Sequence, residues 1–191
     1  MIKHSAYALG ATLYMPATRP DILDVVLSEK IQGLRSLVVC LEDAVAEIDV
    51  QQGLNNLKNL LLGIEARGGR PSSGPILFVR PRDAAMAAVL NDWSLMRHVD
   101  GFVVPKLSLG NIREWQQAVT RDDLMLMPTL ETPEVFVPNA MVELRSAMLE
   151  LLPERIIALR IGGNDLMGCL GLRRPQTMTL YSTPMSYVIP M

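Results

Sequence analysis

A repeated alternation limits what this chain can fold into. Short apolar runs, rich in β-branched residues, are each followed by a longer stretch in which apolar residues recur at helical spacing. The runs are Thr12 to Pro16 (TLYMP), Leu37 to Leu41 (LVVCL), Ile76 to Val79 (ILFV), Phe102 to Val104 (FVV), Leu124 to Leu130 (LMLMPTL) and Ile156 to Ile161 (IIALRI). The helical stretches carry Ile22, Leu23, Val25, Val26 and Ile31, then Leu54, Leu57, Leu61 and Ile64 ended by Gly68 and Gly69. Next come Met86, Val89, Leu90 and Trp93, then Ile112, Trp115 and Ala118, then Met141, Leu144, Met148 and Leu151. Repeats of about 25 to 40 residues imply parallel strands joined by helical crossovers. Continuous rather than alternating apolar runs imply strands covered on both faces. Two architectures fit: a doubly wound sheet and a (β/α)8 barrel. No GxGxxG follows the first run and no GxxxxGK[ST] occurs, which weighs against the nucleotide-binding forms of the first.

Composition removes several classes. Of the 191 residues 49% are hydrophobic and the net charge is -2, so the chain is not intrinsically disordered. The 18 basic and 20 acidic residues leave no basic field, and aromatics at 5% provide no stacking platform, so nucleic acid is not an expected partner. Cys40 and Cys169 are too few for a disulfide framework or a cysteine-rich zinc site. The start, MIKHSAYALG, has no apolar core of a signal peptide, and no run reaches the roughly 20 residues of a membrane helix. The expectation is one cytoplasmic barrel domain over residues 1–191.

Polar residues fall where these runs end. Glu42 and Asp43 follow the second, Arg80 the third, Lys106 the fourth, Glu131 the fifth and Asp165 the sixth. In a (β/α) barrel all those ends lie on one face, where active sites are built. Any single position reads well as a polar turn; five of six together read as a site. Glu131 and Asp165, completed by water and substrate oxygens, suit a hard divalent cation, although Asp165 alone reads best as a helix N-cap. Arg80 can grip a carboxylate through parallel hydrogen bonds, but strand alternation leaves Arg82 equally available. The Glu42–Asp43 pair can orient a water or a base, or complement a helix dipole. Cys40 reads as packed rather than reactive, and His4 and His98 have structural contexts.

The segments TLYMPATRPD, VVCLEDAV, FVRPRD, GFVVPK, PTLETP and RIGGNDLMGCLG, in this order, resemble the citrate lyase beta-subunit and HpcH/HpaI aldolase family. The resemblance runs from about Thr12 to the C-terminus. It implies a TIM barrel, (β/α)8, and a Mg2+-dependent carbon–carbon lyase. The implied substrates are citryl-, malyl- or citramalyl-like thioesters, with coenzyme A or acyl carrier protein as carrier, or hydroxylated 2-keto acids. Glu131 and Asp165 would ligate Mg2+, and Arg80 and Glu131 would bind substrate. Arg80, Glu42 and Asp43 would be catalytic, and Arg19, in the Pro16–Arg19 turn, would be a secondary substrate contact. The family is commonly oligomeric, so a homo-oligomer is implied.

The chain departs from the family pattern at three places. Cys40 stands where an Asp is frequent, the glycine turn reads GGNDL rather than GGEDL, and the first loop reads ATRP where a Gly is common. Two alternatives stay open: a non-catalytic metal-binding barrel or scaffold, which the Cys40 departure favours, and a phosphoenolpyruvate-type enzyme on a related barrel, whose elements the GGNDL turn also resembles. Six units are visible where a barrel of about 250 residues has eight. The expectation is therefore a barrel truncated after about six units or completed by another chain, with strand edges and inner faces left open. The segment after Asp165 is expected to lead toward a seventh strand.

Overall fold

The computed structural model describes residues 4–27 and 30–188. The far end of the first expected helix and both extremities of the expected 1–191 domain fall outside them. The apolar runs form parallel strands β1 (Thr12–Pro16), β2 (Ser36–Cys40), β3 (Ile76–Arg80), β4 (Gly101–Val104), β5 (Met125–Leu130) and β6 (Arg160–Ile161). The helices are α1 (Ile22–Leu27), α2 (Val50–Glu65), α3 (Ala84–Asn91), α4 (Ile112–Ala118), α5 (Pro138–Leu151), α6 (Gly163–Cys169) and α7 (Met185–Val188).

Strand order separates the two architectures left open by sequence. The sheet runs β1-β2-β3-β4-β5-β6 with every pair parallel. A doubly wound sheet reverses its order at a switch point; a barrel does not. Six strands form a curled half-barrel with helices outside. The curl is visible in one contact, since Arg160 of β6 lies 4.6 Å over the ring of Tyr14 in β1.

Alternation along each strand then sorts the side chains. Leu37, Val39, Leu77, Val79, Phe102, Val104 and Leu126 face outward into one core with Leu57, Leu61, Ile64, Leu90, Trp115 and Leu144 of the helices. Val38, Phe78, Val103, Met125 and Met127 face inward. These inner residues are buried rather than open, contrary to expectation. A 3-10 turn at Ala6–Leu9 places Leu9 against Val38, Ile76 and Phe78. The Ser36 hydroxyl fixes this plug by donating to the Leu9 carbonyl at 2.8 Å.

Three local readings change. Helix α1 is described over Ile22–Leu27, and Ile31 is exposed and lies outside it. Val89 lies on the solvent side of α3, which buries Ala84, Ala87 and Leu90 instead. The third concerns the sixth strand, expected over 156–161 but regular only at Arg160–Ile161, with a single bridge from Ile156 to Leu126. Pro128 explains the gap, because it has no N–H to continue the ladder from β5. The partner of Leu126 is Ile156, thirty residues on, whereas Thr129 pairs with Arg160, thirty-one on. One extra residue is therefore accommodated near Ala158–Leu159, a bulge. It leaves Leu159 half-exposed and turns Arg160 to the inner side.

Beyond α6 the described residues form no seventh strand. A helical turn at Leu180–Ser182 leads into α7, and Met185 is buried with Val135, Leu166 and Met167. None of the described helices is long and apolar enough to cross a membrane.

Candidate active site

The C-terminal ends of the strands bring six charged side chains together. Arg80 closes β3 at an inward position and is buried. Its Nη2 lies 2.8 Å from Glu42 Oε2, 3.2 Å from Asp43 Oδ2 and 3.0 Å from Glu131 Oε1. The neighbouring candidate Arg82 is excluded from this cluster: it donates to the Val45 carbonyl and pairs with Glu47, bracing the loop after β2. The choice between two arginines, undecidable from alternation, is thus made by their partners: Arg80 reaches the carboxylates at the strand ends, Arg82 the backbone carbonyls of the loop after β2 and Glu47.

Glu131 follows β5 and is buried, so its reading as a surface turn residue is set aside. Its Oε1 accepts from Arg80 and, at 2.9 Å, from the backbone N–H of Lys106. Burial pushes its carboxyl above the ordinary range, and Arg80 and the Lys106 N–H only partly offset this. The negative charges of Asp165 and Glu42 add to the upward push. Gly162 is required by this packing, since a Cβ there would overlap the Glu131 side chain.

Asp165 sits within the first turn of α6, whose cap residue is Gly162, so the N-cap reading does not hold. Its carboxylate is 3.7 Å from the Lys106 ammonium. Glu42 is buried, and its Oε2 also accepts the backbone N–H of Asp43 at 2.8 Å. Asp43 is the more open of the pair. Partial burial opposes its ionisation, yet its contacts with Glu42 and Lys106 and the charge of Arg80 hold it below the usual carboxylate range.

Lys106 received no role from sequence beyond marking a strand end, and it is the most connected residue of the cluster. Its ammonium lies 2.6 Å from Glu42 Oε1, 3.3 Å from Asp43 Oδ1 and 3.7 Å from Asp165. Its backbone is left-handed, with φ of 49°, which is uncommon for a side chain with a Cβ. Asn111 holds that turn by donating to the Lys106 carbonyl at 2.9 Å. Burial opposes the Lys106 charge, but Glu42 and Asp43 raise its pKa well above the ordinary lysine value. The available signal was the Pro-Lys pair directly after an apolar strand.

Arg19 is not part of this arrangement. It forks onto Asp21 through Nε and Nη2, both at 2.8 Å, in an exposed pair. Cys40 is buried and stands in register with Arg80 on the next strand.

Chemically, the cluster sets four carboxylates against two cations, a formal surplus of two negative charges. Glu42 and Glu131 are buried while Asp43 and Asp165 are partly exposed, and a negative surplus around buried carboxylates favours protonation or a bound cation. The donors fit a hard divalent ion: carboxylate oxygens, with Glu131 Oε2 taking no hydrogen bond among the described residues. Among those residues no three acidic, His or Cys side chains form a complete cage. Two carboxylates with water and substrate oxygens completing the shell is the usual way Mg2+ is held.

A half-barrel with carboxylates and cations gathered at the strand ends defines the chain as a TIM-barrel protein with an anionic, enzyme-like centre. The family described as C-C bond lyase of the TIM-barrel fold matches residues 3–191, and the chain belongs to it. No curated protein matches by sequence. Among solved structures, RipC from Yersinia pestis superposes with a TM-score of 0.64 at 17% identity, covering 96% of this chain and 69% of that one. The Haloferax volcanii malate synthase magnesium/glyoxylate complex gives 0.64 at 18% identity, covering 86% and 54%. The citrate lyase beta subunit from M. tuberculosis, complexed with oxaloacetate and magnesium, gives 0.57 at 17% identity, covering 88% and 65%. At such identities the likeness is one of fold, and the chain spans about half to two thirds of those structures.

Proposed function

We propose that the strand-end cluster is the active centre of a Mg2+-dependent carbon–carbon lyase acting on a small carboxylate or acyl-thioester substrate. The observation that carries this reading is the surplus of two negative charges around buried Glu131 and Arg80. The magnesium complexes of malate synthase and the citrate lyase beta subunit, with glyoxylate and oxaloacetate respectively, support the same choice of ion and substrate class.

In this reading Glu131 and Asp165 hold the Mg2+, which when bound supplies Lewis-acid charge at a developing enolate oxygen. Arg80 orients the substrate and balances its negative charge, and its Nε, buried with no partner among the described residues, is a donor open to a substrate oxygen. Asp43, the open carboxylate, accepts the substrate's hydroxyl proton directly or through a water. The oxygen then forms a carbonyl, the adjacent carbon–carbon bond breaks, and its electron pair passes to the departing enolate, which takes up a proton. Glu42, clamped beneath Arg80 and Lys106, keeps Asp43 in place. Arg19 serves at most as an outer cation. A cytoplasmic, homo-oligomeric enzyme using coenzyme A or a carrier-protein thioester completes the proposal.

The test combines substrate and metal. Citryl-, malyl- and citramalyl-CoA and hydroxylated 2-keto acids are incubated with the protein and Mg2+, and release of the cleaved carbonyl product is followed. Cleavage of one of them is expected. In calorimetry, Asp165→Ala is expected to abolish Mg2+ binding; an unchanged isotherm overturns the metal assignment. Metal binding with no cleavage of any substrate favours the scaffold reading, toward which Cys40, in place of a carboxylate and in register with Arg80, points.

A further inference from the structure

Lys106 belongs to the site in two separate ways. Its left-handed backbone directs an N–H onto Glu131 Oε1, while its side chain runs to Glu42, Asp43 and Asp165. The three side-chain contacts are unequal. The ammonium is hydrogen-bonded to Glu42 at 2.6 Å and to Asp43 at 3.3 Å, but only ion-paired with Asp165 at 3.7 Å. Asp165 is therefore the partner most easily given up. The lysine side chain is about half-exposed, on a flexible stem, and free to follow its tighter partners.

We infer that Lys106 is a positioning residue that competes with the divalent cation for Asp165 and thereby sets how tightly the site binds metal. This rests on the metal reading above. Its ammonium and a cation shared by Glu131 and Asp165 would both lie against the same carboxylate. Two positive charges so close repel across a partly buried space, well inside the roughly 8–10 Å over which salt screens. Binding then proceeds with Lys106 leaving Asp165 and remaining on Glu42 and Asp43. The lysine thus excludes weakly charged cations from Asp165 while leaving the carboxylate available to an ion of higher charge.

The experiment is a calorimetric titration of Mn2+ and Mg2+ into wild type, Lys106→Gly, Lys106→Met and Lys106→Arg. Glycine is the informative variant, because it accepts positive φ and keeps the N–H to Glu131 while removing the ammonium. Methionine retains the stem should glycine loosen the loop. The glycine and methionine variants are expected to bind Mn2+ roughly tenfold more tightly, and arginine to remain near wild type. A damaged fold cannot produce tighter binding, so the sign separates competition from a merely structural role. Equal or weaker binding by both neutral variants overturns the inference while wild-type binding leaves the metal reading intact. Binding by the neutral variants alone supports the inference in its strongest form. No binding by any of the proteins overturns the metal reading, and this inference with it.

Discussion

The β2–β3 pair and the β5–β6 pair begin from similar apolar runs and end differently. β2 and β3 pair over five consecutive positions, and all ten residues are buried. β5 and β6 share two regular positions and one bridge, and β6 is only half-buried. Each pair delivers functional groups to the same end of the barrel. The first delivers Arg80 with Glu42 and Asp43 beyond it, and the second Glu131 with Asp165 beyond it. The closed pair fixes its groups through an unbroken ladder and outward core packing. The open pair fixes them through individual contacts: the Lys106 N–H on Glu131, and Gly162 allowing the close approach of that side chain. Behind β6 and α5 an apolar groove of ≈ 600 Å³ lined by Leu149, Ile156 and Leu159 marks the same looseness. The groove is lined by apolar side chains and Arg145 and holds none of the site's carboxylates.

Substitutions sharpen this contrast. The largest effect is expected at the closed end. Arg80→Leu leaves Glu42 and Glu131 buried without their common partner and should cost about 3–5 kcal/mol in urea unfolding. A loss under about 1 kcal/mol would mean that apolar packing alone holds that end. An intermediate effect is expected at the junction of the two ends. Gly162→Ala forces a Cβ against Glu131 and should cost about 1–3 kcal/mol, with weaker Mg2+ binding in calorimetry. Unchanged stability and binding would show that Glu131 can move aside. The smallest effect is expected at the open edge. Leu159→Glu, on the half-exposed bulge, should change stability by no more than about 0.5 kcal/mol. A loss above about 2 kcal/mol would show that this edge is packed in solution, erasing the difference between the two pairs.

Much of the barrel was legible from the apolar runs, because strands buried on both faces leave few alternatives. β1 to β5 fall within a residue or so of the expected runs, and Glu42, Asp43, Arg80, Glu131 and Asp165 do converge. The site was less legible where a residue's role depends on distant partners. Asp165 looks like a cap by its neighbours and is not one, since Gly162 occupies that position. Arg80 and Arg82 look equivalent along the strand, and only Arg80 has acidic partners at the strand ends around it. Arg19 carries the right charge in a suggestive turn but is engaged by Asp21 two residues away.

By itself the sequence determined the six-fold alternation, the parallel sheet and the set of polar strand ends, because hydrophobic periodicity is a local property of the chain. Tertiary structure alone decided the unreversed strand order, the burial of the inner wall and the choice of Arg80 over Arg82. It also decided the centrality of Lys106, whose three carboxylate partners come from two segments more than fifty residues away in sequence. The bulge in β6 shows the physical reason most directly. Pro128 removes one donor from β5, the ladder slips by one residue, and Arg160 turns inward over Tyr14. A side chain's face depends on register with its neighbour strand, and register is a property of the pair.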